Sequence, residues 1–269
     1  MGLLYRLPAE LLLLVVLAVA IAAVLGAQIL VHRRFHGDAF VEHNEVGGIM
    51  IVVIASLYAV LLGFMTVVAW EHFQESRGIV VTEADATIDA WHTAVGLPLP
   101  VRNRVRGDMV AYANIMVSQE WNLMKSGKSD PRAAMYSMDA IDVVGGLVPQ
   151  NQGQSNAQTA TMQQLGILHD ARQKRISSND SGISLFEWIV LFCGAGCIVC
   201  SCWLFGGIRP PVHLIMTGTV VIMLFSTLVL LFELQYPFRS SIGIGPEAWV
   251  GAISHIHEME AGPMPGMRM

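Results

Sequence analysis

Four stretches of the chain carry no Asp, Glu, Lys or Arg and are each long enough to cross a lipid bilayer. A hydrocarbon core about 30 Å thick requires about 20 apolar residues in a helix. Because lipid offers no hydrogen-bonding partner, each backbone amide must be satisfied within its own segment, and a helix achieves this. The sequence therefore predicts four transmembrane helices, at about Leu11–Val31, Val46–Trp70, Trp188–Ile208 and Pro211–Phe232.

The composition agrees with a membrane protein. Apolar residues make up 54% of the chain and charged residues only 14%, with a mean hydropathy of +0.53. Soluble domains carry about 25% charged residues. The net charge of −5 is spread along the chain without a basic stripe, which argues against a nucleic-acid partner. The lipid bilayer is the partner that the composition indicates.

The polar segment between the second and third spans reads as a layer of helices. Apolar residues recur at helical spacing from residue 71 to 95, 101 to 125 and 157 to 176. Asp130-Pro131 indicates the start of a further helix that runs to about residue 144, and no strand pattern occurs. The sequence thus predicts an all-α integral membrane protein with a helical cytoplasmic layer. The predicted divisions are spans one and two, the helical region, spans three and four, and a flexible tail, at 1–70, 71–182, 183–236 and 237–269.

Basic residues near the span ends predict the orientation. An even number of spans puts both termini and the large loop on one side of the membrane. Six basic residues flank the spans on that side and three on the other, which favours a cytoplasmic loop and termini. The six are Arg6, Arg77, Arg172, Lys174, Arg175 and Arg239, and the three are Arg33, Arg34 and Arg209.

The end of the second span carries a characteristic pattern, which begins at Leu62-Gly63-Phe64 and continues through Trp70-Glu71-His72-Phe73 to Glu75-Ser76-Arg77. This pattern resembles the bestrophin-like domain family of bacterial four-span membrane proteins, distantly similar to the bestrophin anion channels. Further residues match the family in the same order along the chain. These are Glu83-Ala84, Gly96-Leu97-Pro98, Arg102, Arg106, Tyr112, Glu120-Trp121, Arg172 and Pro237-Phe238.

The resemblance implies a passive anion channel in a bacterial inner membrane. Bestrophins are pentamers whose second span lines a narrow neck, so the resemblance implies a homo-oligomer that passes small inorganic anions. The neck would be lined by Ser56, Val60 and Phe64. Bestrophins have bulkier residues at the first two positions, so this neck would be wider and more polar at the Ser56 end. The alternative function is a non-conducting scaffold or sensor whose cytoplasmic helices bind a protein or small ligand.

The cytoplasmic end of the pore helix departs from the bestrophin pattern. Glu71, His72 and Phe73 replace an arginine and a pair of aromatic residues. A ring of Glu71 carboxylates would repel anions unless His72 or Arg77 pairs with it. Gly63 has two interpretations, close helix packing or a flexible point for gating, and packing is favoured.

Other residue patterns predict no enzyme, no cofactor and no bound metal. Cysteines at 193, 197 and 200 share a helix face, but within an apolar span they are expected to pack as small residues, like Cys202. The His and Met residues from His255 to Met269 are expected to belong to a flexible tail rather than a copper site. His32, His36 and His43 are expected to lie in a solvated loop.

Overall fold

The computed structural model describes residues 7–34, 41 and 44–261, and every regular element among them is helical. This confirms the predicted all-α class. The helices run in the order α1 (Ala9–Arg34), α2 (Asn44–Thr93), α3 (Leu99–Ile115), α4 (Trp121–Met124), α5 (Pro131–Gly145), α6 (Gln152–Asp180), α7 (Leu185–Trp203), α8 (Pro210–Leu234) and α9 (Glu247–Ala261).

Four of the described helices are long and apolar enough to cross a membrane, as the sequence predicted. They are α1, the first part of α2, α7 and α8, with mean hydropathies between 2.0 and 2.8. α1 packs mainly along α8, and α7 contacts both of them. α7 begins with a capping box, in which Ser184 and Glu187 exchange side-chain and backbone hydrogen bonds. Glu187 therefore serves as a helix cap.

The chain divides into two compact units. The membrane unit contains residues 1–72, 182–235 and 240–242, and the helical unit contains residues 73–181, 236–239 and 243–269. α2 begins in the membrane unit and ends in the helical unit.

The helical unit is built on α3, which packs against α5, while α5 packs against α6 and α9 lies on α3. Local chemistry explains the helix starts. Asp130 accepts a hydrogen bond from the backbone N–H of Arg132, and Pro131 occupies the first turn of α5, as the sequence indicated. A π-helical turn at Met116–Glu120 joins α3 to α4 and places Glu120 in the interior.

The structure differs from the predicted flexible tail at 237–269. Residues Glu247–Ala261 form α9, and its Trp249, Ala252 and Ile256 are buried at helical spacing in the core of the helical unit. The Gly and Pro residues after position 261 suggested an irregular tail. The apolar contacts of α9 instead stabilise a helix before that position. His255 and His257 are exposed on α9. The last three methionines lie outside the described residues.

The cysteines of α7 also differ from their expected packing role. Cys193, Cys197 and Cys200 are exposed in the protomer, and only Cys202 is buried. The small residue that packs closely in this helix is Gly194, because a Cβ there would overlap the ring of Tyr58.

Candidate functional site on the second helix

The three predicted neck residues lie on one line along α2 and face away from the rest of the protomer. Ser56, Val60 and Phe64 follow one another at four-residue spacing, and all are exposed, with 59% of Val60 and 67% of Phe64 accessible. The opposite side of α2 carries the buried Tyr58 and Leu62. The hydroxyl of Tyr58 donates a hydrogen bond to the carbonyl of Leu191 at 3.1 Å. One face of α2 therefore packs within the membrane unit, and the predicted neck lies on the other.

The exposed face of α2 is apolar and uncharged over the length of a membrane span. No ionisable residue other than Tyr58 occurs between Val46 and Trp70. The hydroxyl of Thr66 donates to the carbonyl of Leu62 at 2.8 Å, so the helix itself satisfies that polar group. Such a surface contacts either lipid or further copies of the chain.

Gly63 lies on the exposed part of α2, and a Cβ there would meet nothing within 4 Å. Close packing at Gly63 therefore does not occur within the protomer. The membrane unit uses Gly194 of α7 for that purpose instead.

The three residues predicted for the cytoplasmic end of the pore helix have different surroundings. Glu71 is exposed and forms no ion pair among the described residues. It lies seven residues beyond Phe64, which is two helical turns and therefore the same side of α2. His72 is half-buried, whereas Arg77 is exposed and belongs to the helical unit.

A second set of polar residues meets inside the helical unit, and we call it the charged cluster: Glu83, Tyr112, Glu120, Arg172 and Arg175. All five side chains are at most 3% exposed. Arg175 holds Glu83 with two hydrogen bonds, from Nε to Oε2 at 2.5 Å and from Nη2 to Oε1 at 3.0 Å. The same Nη2 also donates to Glu120 Oε1 at 3.2 Å.

The remaining contacts close the charged cluster. Arg172 Nη1 lies 3.0 Å from Glu120 Oε1, and Arg172 Nη2 donates to the carbonyl of Asp130 at 3.1 Å. Tyr112 donates its hydroxyl proton to Glu83, and the backbone N–H of Asp130 donates to Glu120. Burial and the Glu83 carboxylate raise the pKa of Tyr112, so the phenol stays a donor. Two acids balance two bases, which makes the cluster a fixed brace between α2, α3 and α6.

Four members of the charged cluster match the family pattern, but the sequence alone gave them no common role, and the fifth, Arg175, was missed. In the sequence, Arg175 counted only as a basic residue beside a span, whereas Arg172 also matched the family pattern. The available signal was their position on α6, where they continue the buried stripe of Leu165, Leu168 and Ala171. Charged residues on an apolar stripe indicate buried ion pairs.

Comparison with known proteins gives a family and a fold. A family model for the Bestrophin-like domain matches residues 18–249. A mutant of a bacterial bestrophin homologue from Klebsiella pneumoniae is 14% identical, with a TM-score of 0.69 over 92% of this chain and 99% of that chain. A second mutant of that homologue is 13% identical, with a TM-score of 0.67 over 93% and 99%.

A further structure, described as a membrane protein, is 13% identical with a TM-score of 0.68 over 92% of this chain and 99% of that chain. None of the curated proteins compared with this chain matches it.

Proposed function

Because the chain belongs to the Bestrophin-like domain family, we propose that it is a passive ion channel in which several copies surround a central pore. The observation that carries this proposal is the exposed face of α2. Ser56, Val60 and Phe64 lie on the side opposite the buried contacts of the protomer. In a ring of copies, that side of each α2 can face a common axis without disturbing the packing inside any protomer.

The proposed permeant ions are small inorganic anions. An apolar pore of this kind conducts when it is wide enough to stay wet and closes by dewetting when it is narrow. A ring of Phe64 side chains turned edge-on would present the positive rim of each aromatic quadrupole to the lumen. Glu71 opposes this preference, because it lies on the same side of the helix and no described residue forms an ion pair with it. The selectivity between anions and cations therefore depends on the balance between Phe64, which favours anions, and Glu71, which repels them.

The proposed location is a bacterial inner membrane, with the helical unit and both termini in the cytoplasm. Two of the six basic residues counted on the cytoplasmic side do not contribute a free positive charge there. Arg172 and Arg175 are buried in ion pairs within the helical unit, so they are already compensated. The orientation then depends on the other flanking basic residues, among which Arg77 is exposed.

The test is the current through purified protein in planar bilayers under a chloride gradient with a large cation. We expect a current that reverses near the chloride equilibrium potential and increases several-fold in Phe64→Ala, because the ring no longer narrows the neck. Phe64 is 67% exposed in the protomer, so its truncation leaves the fold of each copy intact. The matched control is Phe186→Ala on α7, where the ring is 73% exposed but lies outside α2.

Three outcomes would change the proposal. A reversal near the cation equilibrium potential, abolished in Glu71→Gln, would make the channel cation-selective. Equal currents in Phe64→Ala and the wild type would remove α2 from the pore. No current from protein that native mass spectrometry shows to be oligomeric would favour the non-conducting scaffold or sensor.

A further inference from the structure

A line of polar side chains lies between α1 and α8 inside the membrane unit, and the proposed pore does not use it. We call it the histidine seam: Gln28 and His32 of α1 with His213 and Thr217 of α8. The rings of His32 and His213 are 5.2 Å apart between centroids, with their planes at 89°. Gln28 and Thr217 lie four residues along their helices from these histidines, so each helix presents both of its polar residues on one face.

Three members of the seam are deeply buried, and His32, which lies in α1 rather than in the expected solvated loop, is half-buried. Gln28 and Thr217 are each 2% exposed, and His213 is 6% exposed. The Oε1 atom of Gln28 and the Oγ1 atom of Thr217 have no hydrogen-bond partner among the described residues. A buried polar atom without a partner costs stability, and polar residues inside membrane spans typically mark ion or ligand sites.

The hydrogen bond of His213 determines which of its ring nitrogens can bind a metal. Its Nε2 lies 2.9 Å from the backbone carbonyl oxygen of Cys202. A carbonyl oxygen only accepts hydrogen bonds, so Nε2 carries the proton and Nδ1 keeps its lone pair in the neutral ring. Histidines that bind metals characteristically donate their other N–H to a carbonyl or carboxylate in this way.

We propose that His32 and His213 bind a divalent transition metal ion, such as Zn²⁺, which joins α1 to α8. A metal ion bound to two imidazoles lies about 2.1 Å from each ligating nitrogen, and the two bonds meet at a tetrahedral angle. When the distance from each nitrogen to the centre of its ring is added, the two ring centroids are about 5 Å apart. The observed separation is 5.2 Å. Gln28 Oε1 is the further protein ligand on α1, and water completes the coordination.

The available ligand atoms and the nearby charges determine which metal ions the histidine seam can bind. Among the described residues, no three His, Cys, Asp or Glu side chains converge. A site with two imidazoles and an amide oxygen suits Zn²⁺, Co²⁺ or Ni²⁺, whereas Mg²⁺ and Ca²⁺ require more oxygen ligands. Arg33 and Arg209 lie at the same helix ends as the two histidines. Arg209 is exposed and Arg33 is also exposed, so solvent screens their charges, and they weaken cation binding without preventing it.

The experiment measures metal binding to the full-length protein in detergent. Zn²⁺ binding is followed by calorimetry and by the rise in Tm, and Co²⁺ binding by its visible absorption spectrum. We expect Zn²⁺, but not Mg²⁺, to raise the Tm of the wild type. His32→Gln and His213→Gln should lose this rise and the Co²⁺ spectrum. The glutamine amide introduced at position 213 can still donate to the Cys202 carbonyl, so the fold should survive.

Two further variants keep the test decisive. Gln28→Leu removes an unpaired polar atom, so it should fold well but bind Zn²⁺ more weakly. A control with both His255→Gln and His257→Gln, which are exposed on α9, should bind Zn²⁺ like the wild type. No Zn²⁺ binding by the wild type, unchanged binding in folded seam variants, or loss of binding only in the α9 control would overturn the proposal.

Discussion

At the scale of single residues, the charged cluster is the most demanding feature of the chain. Arg175 and Glu83 are both 0% exposed, and each depends on the other to offset the loss of water. Glu83 holds the pKa of Arg175 above its ordinary value, although burial acts in the opposite direction. A buried pair of this kind adds little net stability as a whole, but the loss of one partner is expensive.

Arg175→Met should therefore destabilise the protein by about 3–5 kcal/mol, because Glu83 and Glu120 are left with too little positive charge. Glu83→Gln combined with Arg175→Met should cost clearly less than the two single changes added together. The measurement is chemical unfolding of the protein in detergent. Lys174→Met is the control, because Lys174 is exposed on the same helix as Arg175 and forms no ion pair among the described residues. We expect it to cost less than about 1 kcal/mol.

Asp108 is the residue that makes stability depend on pH. Burial, and then the neighbouring Asp139 carboxylate, raise the pKa of Asp108 to about 7, although Arg104 lowers it. Hydrogen bonds from Arg104 and Asp108 lower the pKa of Asp139. Arg104 Nε lies 2.6 Å from Asp139 and 3.5 Å from Asp108, so it pairs mainly with Asp139. Asp108 therefore keeps its proton in the folded protein where an unfolded chain has lost it.

Between about pH 4 and 7 the folded state binds more protons through Asp108, so stability should fall as pH rises through this window and then level off. Asp108→Asn should remove this dependence and raise stability at pH 8 by about 2–4 kcal/mol. Below pH 4, the lowered pKa of Asp139 acts in the opposite sense. Unfolding at pH 5, 6, 7 and 8 tests the prediction. Asp170→Asn, a change of an exposed residue on α6, should keep the wild-type profile.

At the scale of helices, the contact between α2 and α7 depends on one glycine. A Cβ on Gly194 would overlap the ring of Tyr58, whereas a Cβ on Gly196 would meet nothing within 4 Å. Gly194→Ala should therefore destabilise the membrane unit by about 1–3 kcal/mol, and Gly196→Ala should not. Thermal unfolding in detergent compares the two variants. Equal effects would show that helix propensity, rather than the contact with Tyr58, determines the outcome.

The helices themselves followed largely from local sequence. The spans could be found because few structures besides a membrane helix use a charge-free run of that length, and α5 could be placed because Asp130 and Pro131 are strong start signals. α9 was missed because its stripe of Trp249, Ala252 and Ile256 becomes stable only when α3 covers it. Tertiary packing, rather than intrinsic propensity, makes this segment a helix.

At the scale of the whole molecule, the sequence identified most residues of the charged cluster through the family pattern, but it did not predict that they contact one another. Glu83 and Arg175 are 92 positions apart, and no local pattern shows that they meet. Glu120 reaches the same place through a π-helical turn, which spacing alone does not predict. The exposed face of α2 was easier to anticipate, because four-residue spacing fixes one side of a helix whatever packs on the other.

The charged cluster also has a consequence for the ancestry of the family. A change at any one of its four charged positions produces a descendant with an unpaired charge in a dry interior, and selection removes such a descendant. These positions should therefore be inherited as a block, or lose one acid and one base together. A collection of relatives should contain chains with all four charges or with a neutral pair, and very few with three.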